Sequence, residues 1–362
     1  MQVGTRYSIF VLGKRLTNIK WLISGGSSMK ATIKDIALQA KVSVATVSKI
    51  LNKKDEHISD ETRQKVIAIA KEINYTPNTL ARSLVTKQTK TIGLILPDIS
   101  NPFFPELARG AEDKASEIGY SIMYCNTDDN VKKEDQYINM LIEKMVDGII
   151  ITQSVARKNA SVTLESVSIP IILIDRDIEG QSVRGKVLVD NMMGAYDAVK
   201  YLILSGRKDI AFIAGPLTSN TTKTRLEGYK KALNEFGISF NKDYILEGQY
   251  KSEWGFSAVR QLLEKKYNFD AVFCANDVIA ISVVKALKDA GKLIPQDIAV
   301  IGFDDIHMAS LIEPPLTTVR QPIYEMGYRA VEMLIDIIKN PNEDIKERRI
   351  LLGTKLILRN TT

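Results

Sequence analysis

Cysteine and histidine are nearly absent. The 362 residues hold two of each: Cys125 and Cys274, His57 and His307. Two distant cysteines exclude a disulfide framework and fit a reducing cytosol. Two histidines leave little material for a metal centre, so neither a metal nor another cofactor is expected. No apolar run approaches the roughly 20 residues of a membrane helix. Catalytic signatures are missing as well: there is no P-loop, no GxSxG elbow and no HExxH pair. His307 follows Asp304 and Asp305, but no nucleophile with a supporting base accompanies it. It reads as a hydrogen-bonded loop residue. These absences point away from an enzyme, and no catalytic residue is expected.

What is present suggests two or three domains, because the chain is too long for one ordinary core. Apolar residues make up 45% and charged residues 25%, the mix of a soluble globular protein. The net charge of +6 is unevenly placed. Residues 1–28 hold four Lys/Arg and no acid, and residues 29–90 hold twelve against six. The remainder carries 33 bases and 37 acids. A basic N-terminal part on a mildly acidic body suggests an anion-binding module attached to something else.

Residues 1–28 read poorly as structure. Their apolar stretch, Ile9 to Leu12, ends at Lys14-Arg15 and is too short for a secretory segment. A second methionine, Met29, precedes the first strong motif, and codons for Gly25-Gly26 can spell a ribosome-binding sequence upstream of it. We expect Met29 to be the natural start and residues 1–28 to be a leader or disordered arm. A cytoplasmic location is expected.

Residues 29–76 carry three helical patterns. Thr32 opens the first, with Asp35 where a capping-box acid stands and Ile36, Ala37 and Ala40 on one face. Lys41-Val42-Ser43 forms a break, and Ser43 caps a second helix whose inner face is Val47, Ile50 and Leu51. Ser59 starts a third, with Val66, Ile67, Ile69, Ala70 and Ile73 inward. Two short helices joined by a tight turn let the second project small residues and one lysine into a DNA major groove. Thr46, Ser48 and Asn52 suit phosphate oxygens. The same pattern also fits a purely structural three-helix bundle.

The run from Thr32 to Asn52, TIKDIALQAKVSVATVSKILN, resembles the headpiece of the LacI/GalR bacterial repressors. The resemblance continues to about Arg359. It places Val44, Ala45 and Lys49 at base-reading positions, and Thr32, Ser43 and Tyr75 join the expected DNA side. Lys41 departs from the family's usual glycine, in a turn where glycine accepts positive φ more easily. Residues 77–90 form a linker: Pro77 stops the third helix and Asn78 caps a segment too short to hold a helix alone. The resemblance makes that segment a hinge helix for the minor groove, with Leu84 as the wedge that kinks the duplex, Ala81 behind it and Arg82 beside it.

From Thr91 to Thr362 strand-like runs alternate with amphipathic stretches. The runs are 92–96, 121–125, 148–152, 171–174, 187–189, 210–214, 271–274 and 298–302, and helical stretches include 104–118, 226–236 and 278–290. Short apolar runs between helices indicate buried parallel strands. Two sets predict two doubly wound parallel-sheet lobes, which looks like a periplasmic sugar-binding protein. Lobe 1 is expected at about 91–190 and 321–350, lobe 2 at about 191–320 and 351–362, with crossings near Asp190, Thr318 and Leu352. The fold class is therefore an all-α helix-turn-helix headpiece plus an α/β periplasmic-binding-protein-like core.

Ligands of parallel sheets sit beyond the carboxyl ends of the strands. Those ends carry Asn101, Phe103, Phe104, Asp175, Arg176, Arg225, Asn276, Asp304 and Gln321. Planar bidentate groups hold sugar hydroxyls, and aromatic rings take the C–H face of a sugar. Tyr250 or Trp254 could add to the aromatic wall. The combination resembles ribose-binding proteins and ribose repressors, which implies Tyr250 in the aromatic position where those binding proteins have Phe. Its hydroxyl is expected to meet a larger or more polar ligand, and two arginines leave room for a sugar acid or sugar phosphate. A catabolite-control regulator answering to a phosphoprotein is similar in overall sequence, and residues 91–362 alone resemble a transport-type sugar-binding protein. The reading is a homodimeric repressor of a sugar-utilisation operon, released from palindromic double-stranded operator DNA by a small sugar. No terminal leucine heptad follows the last strand-like run, so a dimer rather than a tetramer is expected.

Overall fold

The computed structural model describes residues 31–52, 55–76, 88–155, 157, 161–178, 183–341 and 347–362. The expected leader and most of the linker lie outside them. The chain divides into two compact units, Met1–Arg82 and Ser83–Thr362.

The first unit contains α1 (Ile33–Ala40), α2 (Val44–Leu51) and α3 (Asp60–Glu72). Ile36, Ala37, Ala40, Val47, Ile50 and Val66 meet in its buried core, with Leu51, Ile67, Ile69, Ala70 and Ile73 packed around it. Local chemistry sets the helix starts. The Thr32 amide and hydroxyl both donate to Asp35 Oδ2 at 2.8 Å, and Ser43 Oγ accepts from the Thr46 amide at 3.0 Å. The turn between α1 and α2 is made by Lys41 in the left-handed conformation, φ 59°. Cβ crowding makes that conformation costly for lysine.

The second unit is a pair of sheets. In the first, β1 (Thr91–Leu96), β2 (Ser121–Asn126), β3 (Gly148–Ile151), β4 (Ile171–Ile174), β5 (Gly185–Val189) and β11 (Arg348–Leu352) lie in the order β11-β5-β4-β3-β1-β2. In the second, β6 (Ile210–Ala214), β7 (Ile245–Glu247), β8 (Ala271–Cys274), β9 (Ala299–Asp304), β10 (Thr317–Arg320) and β12 (Lys355–Ile357) lie in the order β12-β10-β9-β8-β6-β7. The inner strands β1, β3, β4, β6, β8 and β9 are buried, largely apolar runs, as helices on both faces require. Helices α4 (Phe103–Glu117), α5 (Val131–Glu143) and α10 (Ile323–Lys339) belong to lobe 1. Helices α6 (Asn191–Leu204), α7 (Asn220–Glu235), α8 (Ser252–Glu264) and α9 (Asp277–Asp289) belong to lobe 2. Among the described residues no helix is long and apolar enough to cross a membrane.

Two details differ from the sequence reading. The second sheet is not wholly parallel, because β12 pairs antiparallel with β10 through Thr318–Ile357 and Arg320–Lys355. Only a two-residue link separates β11 from β12, too short for the crossover that a parallel pairing needs. The second crossing follows Arg320, at the expected bound of lobe 2, with Thr318 paired to Gly302 just before it. Leu351 and Leu352, placed in lobe 2 from the sequence, pair with Leu188 and Val189 of lobe 1. The third crossing is therefore Gly353-Thr354. The first and third crossings are tied together, the Asp190 amide donating to the Leu352 carbonyl at 3.0 Å.

The helices α4 and α10 fix the front of lobe 1. A Cβ on Gly110 would lie 2.0 Å from the Tyr324 carbonyl oxygen, and one on Gly327 2.0 Å from that of Leu107. Glycine at both places lets the two backbones touch. This contact sets the segment Asn101–Phe104 beside the crossing at Gln321.

Replacing Lys41 by glycine should stabilise the first unit by about 0.5–1 kcal/mol, by relieving the left-handed lysine. Thermal melts of the two proteins check it. An unchanged or lower midpoint would contradict the strain.

Candidate functional sites

On the first unit, α2 turns Val44, Ala45 and Lys49 outward and Val47 and Ile50 inward. Val44 is 42% exposed. The polar residues are already engaged locally. Ser43 and Thr46 hydroxyls share a 2.9 Å hydrogen bond, and Asn52 Nδ2 donates to the Ser48 carbonyl at 2.8 Å and to Ser48 Oγ at 3.3 Å. Tyr75 is half-buried against the headpiece core, so its ring has a packing role. Leu38, 79% exposed and not singled out from the sequence, sits on α1. Asn78, Ala81, Arg82 and Leu84 lie outside the described residues.

In the second unit the carboxyl ends of both sheets border one cavity of about 370 Å³. All ten residues expected to hold an effector line it: Asn101, Phe103, Phe104, Asp175, Arg176, Arg225, Tyr250, Asn276, Asp304 and Gln321. Their placement follows from the strand ends. Asn101 caps α4 by accepting from the Phe103 amide at 3.1 Å, and the two phenylalanine rings meet edge to face at 5.1 Å. Asn276 caps α9 by accepting from the Ile279 amide at 2.9 Å. Asp175 and Asp304, at the ends of β4 and β9, take positive φ of 67° and 127°, which swings their side chains out of the strand register. Backbone strain of this kind collects where a ligand is bound.

The electrostatics are those of a crowded site with buried charges. Gln321 Nε2 donates to Asp304 Oδ1 at 2.7 Å. Burial pushes the Asp304 carboxyl up to about 7, against the opposing pull of Arg225 and Gln321. Burial likewise raises Asp175, against Arg176 and Arg225. Two buried acceptors along the cavity, Gln321 Oε1 and Thr221 Oγ1, have no protein partner. Buried polar atoms of this kind are costly unless something else completes them. Among the described residues no group of three His, Cys, Asp or Glu could hold a metal ion.

The Tyr250 hydroxyl shares a 2.5 Å hydrogen bond with Thr222 Oγ1 and keeps further acceptor capacity beside the cavity. Trp254 lies off the cavity, its indole N–H donating to the Ala214 carbonyl at 2.9 Å. His307 is exposed on the loop after β9.

The sequence reading missed Asp129, Thr221 and Lys251, which also line the cavity. Asp129 Oδ1 accepts from Arg176 Nη1 at 2.7 Å and from the Val155 amide at 3.1 Å. The signal was available, because Asp129 follows the end of β2, one of the strand ends left unread. Lys251 follows β7, which is too short to show as an apolar run.

The raised Asp304 carboxyl has a measurable consequence. Its unfolded-state pKa is near 4 and its folded one near 7, so the folded state binds the extra proton between them. Stability from this residue is present at about pH 4 and is lost as pH rises to about 7. Asp304→Asn, which keeps the acceptor for Gln321, should gain on the parent by about 1 kcal/mol per pH unit across that window. Urea unfolding at several pH values measures the difference, and a flat difference would contradict the buried titration.

With this geometry in place, comparison with known proteins is direct. Residues 32–78 match the family described as bacterial regulatory proteins, lacI family. Residues 89–359 match the periplasmic binding proteins and sugar binding domain of the LacI family. The HTH-type transcriptional regulator RegA of Clostridium saccharobutylicum is 40% identical over 336 residues, 92% of this chain and 100% of that protein. The ribose operon repressor of Haemophilus influenzae is 38% identical over 331 residues, 91% of this chain and 98% of that protein. The structure of the lac repressor dimer bound to operator and the anti-inducer ONPF superposes with a TM-score of 0.80 at 27% identity, over 92% of this chain and 99% of that one. These relatives are regulators rather than enzymes. The chain belongs to the LacI family and is a DNA-binding transcriptional repressor of that type.

Proposed function

We propose that this repressor controls genes for the use of a small sugar of the ribose class, which binds in the cleft and releases the protein from its operator. One observation carries the reading. Ten side chains that follow seven strand ends converge on one cavity, where the buried Gln321 Oε1 and Thr221 Oγ1 lack partners. Carboxylates and amides that accept and donate in fixed planes match a polyol, and Phe103, Phe104 and the Tyr250 ring supply an apolar wall. The name of the Haemophilus relative points the same way.

In this reading α2 carries Val44, Ala45 and Lys49 into the major groove, and Leu84 wedges the minor groove. Two copies act together on a palindromic operator, as the dimeric lac repressor on its operator suggests. Ligand favours the closed lobes, and closed lobes disfavour the DNA-bound arrangement of the hinge segments. Coupling of this kind is about 1–3 kcal/mol.

Thermal unfolding against ribose, other pentoses, hexoses and purines tests the effector. A ligand at 100 times its Kd should add about 2.7 kcal/mol. The ligand that shifts the midpoint should also weaken operator binding in a fluorescence anisotropy assay. No shift across the panel would overturn the sugar reading and favour a protein effector. Leu84→Ala should weaken operator binding by tenfold or more, about 1.4 kcal/mol, and leave ligand affinity unchanged. Equal operator affinity would remove Leu84 as the lever.

A further inference from the structure

We propose that Asp277, which does not line the cavity, positions the cavity carboxylate of Asp304 by holding the turn after β9 from inside lobe 2. The proposal rests on the reading of the cleft as the effector site. It assigns a residue on which that site depends and which does not meet the ligand. Asp277 opens α9, directly after the cavity residue Asn276, and is fully buried. Its two carboxyl oxygens reach two other segments. Oδ2 accepts from the Ile306 amide at 2.9 Å, two residues past Asp304. Oδ1 accepts from the Thr318 hydroxyl at 2.5 Å, three residues before Gln321. Asn276, Asp304 and Gln321 all line the cavity. One side chain thus ties together the three segments that carry them.

The turn needs such a tie. Asp304 and Asp305 both take positive φ, 127° and 61°, which is costly for residues with a Cβ. Backbone of this kind persists only where its surroundings over-determine it. On the outside of the turn, Asp305 accepts from Arg320 Nε and from Arg359 Nη2, each at 2.6 Å. On the inside, the Ile306 amide is held by Asp277. The fold makes room for that carboxyl. Gly302 of β9 pairs with Thr318, and a Cβ there would lie 2.1 Å from Asp277 Oδ1.

The strut works as a neutral acid. Burial, and then the Asp304 carboxylate, hold the Asp277 carboxyl well above the usual range. Two buried carboxyls that feel each other carry one charge more easily than two, so ionisation is left to Asp304 on the cavity side. Other titratable or charged groups face the pair: Cys274 at the end of β8, Asp305 in the turn, and Asp175 and Arg225 near Asp304. A neutral acid accepts from the Ile306 amide through one oxygen and shares a hydrogen with the Thr318 hydroxyl through the other. A carboxamide reproduces both bonds. Asparagine is therefore the conservative replacement. Alanine is the disruptive one, because it leaves a buried amide and a buried hydroxyl unmet.

Titration calorimetry on the full-length protein tests the role, with the sugar that gives the thermal shift and from about pH 5 to about pH 9. Asp277→Ala should weaken effector binding by at least about tenfold and leave operator affinity without effector unchanged. It should also lower the pH midpoint of effector binding by about one unit, because a loosened turn lets water reach Asp304. Asp277→Asn should restore both the affinity and the midpoint. Thr318→Val cuts one of the two hydrogen bonds at nearly constant volume and covers the case in which the alanine variant does not fold. It should weaken effector binding by about threefold. Unchanged effector affinity in either disruptive variant overturns the inference and leaves the sugar reading standing. So does a weakened affinity with an unmoved midpoint, or one that asparagine does not restore. A parallel loss of operator affinity marks a residue that only holds the fold, and overturns it as well. A parent protein that binds no sugar overturns both readings.

Discussion

The contact between Asp304 and Gln321 ties the cavity to the second crossing between the lobes. Asp304 ends β9 and Gln321 begins the second crossing between the lobes. They are linked twice, by Gln321 Nε2 to Asp304 Oδ1 at 2.7 Å and by the Gln321 amide to the Asp304 carbonyl at 3.2 Å. A ligand that draws on the Asp304 carboxylate or on the unpaired Gln321 Oε1 therefore acts on the segment through which one lobe is carried to the other. Removing either partner would leave a buried polar group unmet and loosen the crossing at the same time. The left-handed backbone at Asp304 belongs to the same constraint, since it brings the carboxylate to the cavity rather than to the sheet face.

The two arginines of the cleft are each held by partners of their own lobe. Arg176 and Arg225 are buried, and each is surrounded by acceptors from its own lobe. Behind Arg176 stands a second layer in which Arg157 bridges Glu134 and Asp135 at 2.8 and 2.7 Å. Glu134 accepts from Ser154 through both its amide and its hydroxyl, at 2.5 and 2.6 Å, and so ties the loop after β3 to α5. That loop supplies the Gln153 carbonyl to Arg176. Charges buried in this way hold shape at the rim of the cleft, because a broken pair would leave an uncompensated ion.

Much of this was legible in the sequence. Buried strands show as apolar runs, and ligand positions follow from strand ends, so β1, β4, β6, β8 and β9 led to eight residues of one cavity, the expected crossing added Gln321, and the family resemblance added Tyr250. The left-handed Lys41 could be read from a turn that favours glycine. What escaped had physical reasons. β7 and β12 have three residues each, too few for a pattern, and β10 reads as polar because Thr317 and Thr318 are buried with their hydroxyls paired. The role of the Tyr250 hydroxyl depends on Thr222, twenty-eight residues away and on another element. Partners of that kind are set by tertiary packing, which spacing does not encode.

Three chain crossings join the lobes, at Asp190, at Gln321-Pro322 and at Gly353-Thr354, and the first and third share a hydrogen bond. Three parallel connections leave bending easy and make shear and twist hard. The lobes thus have essentially a single coordinate of relative motion. A molecule in the cleft acts along that coordinate in one direction or the other. On the proposed reading, an inducer and its antagonist would differ in the sign of one displacement, with no second conformational vocabulary.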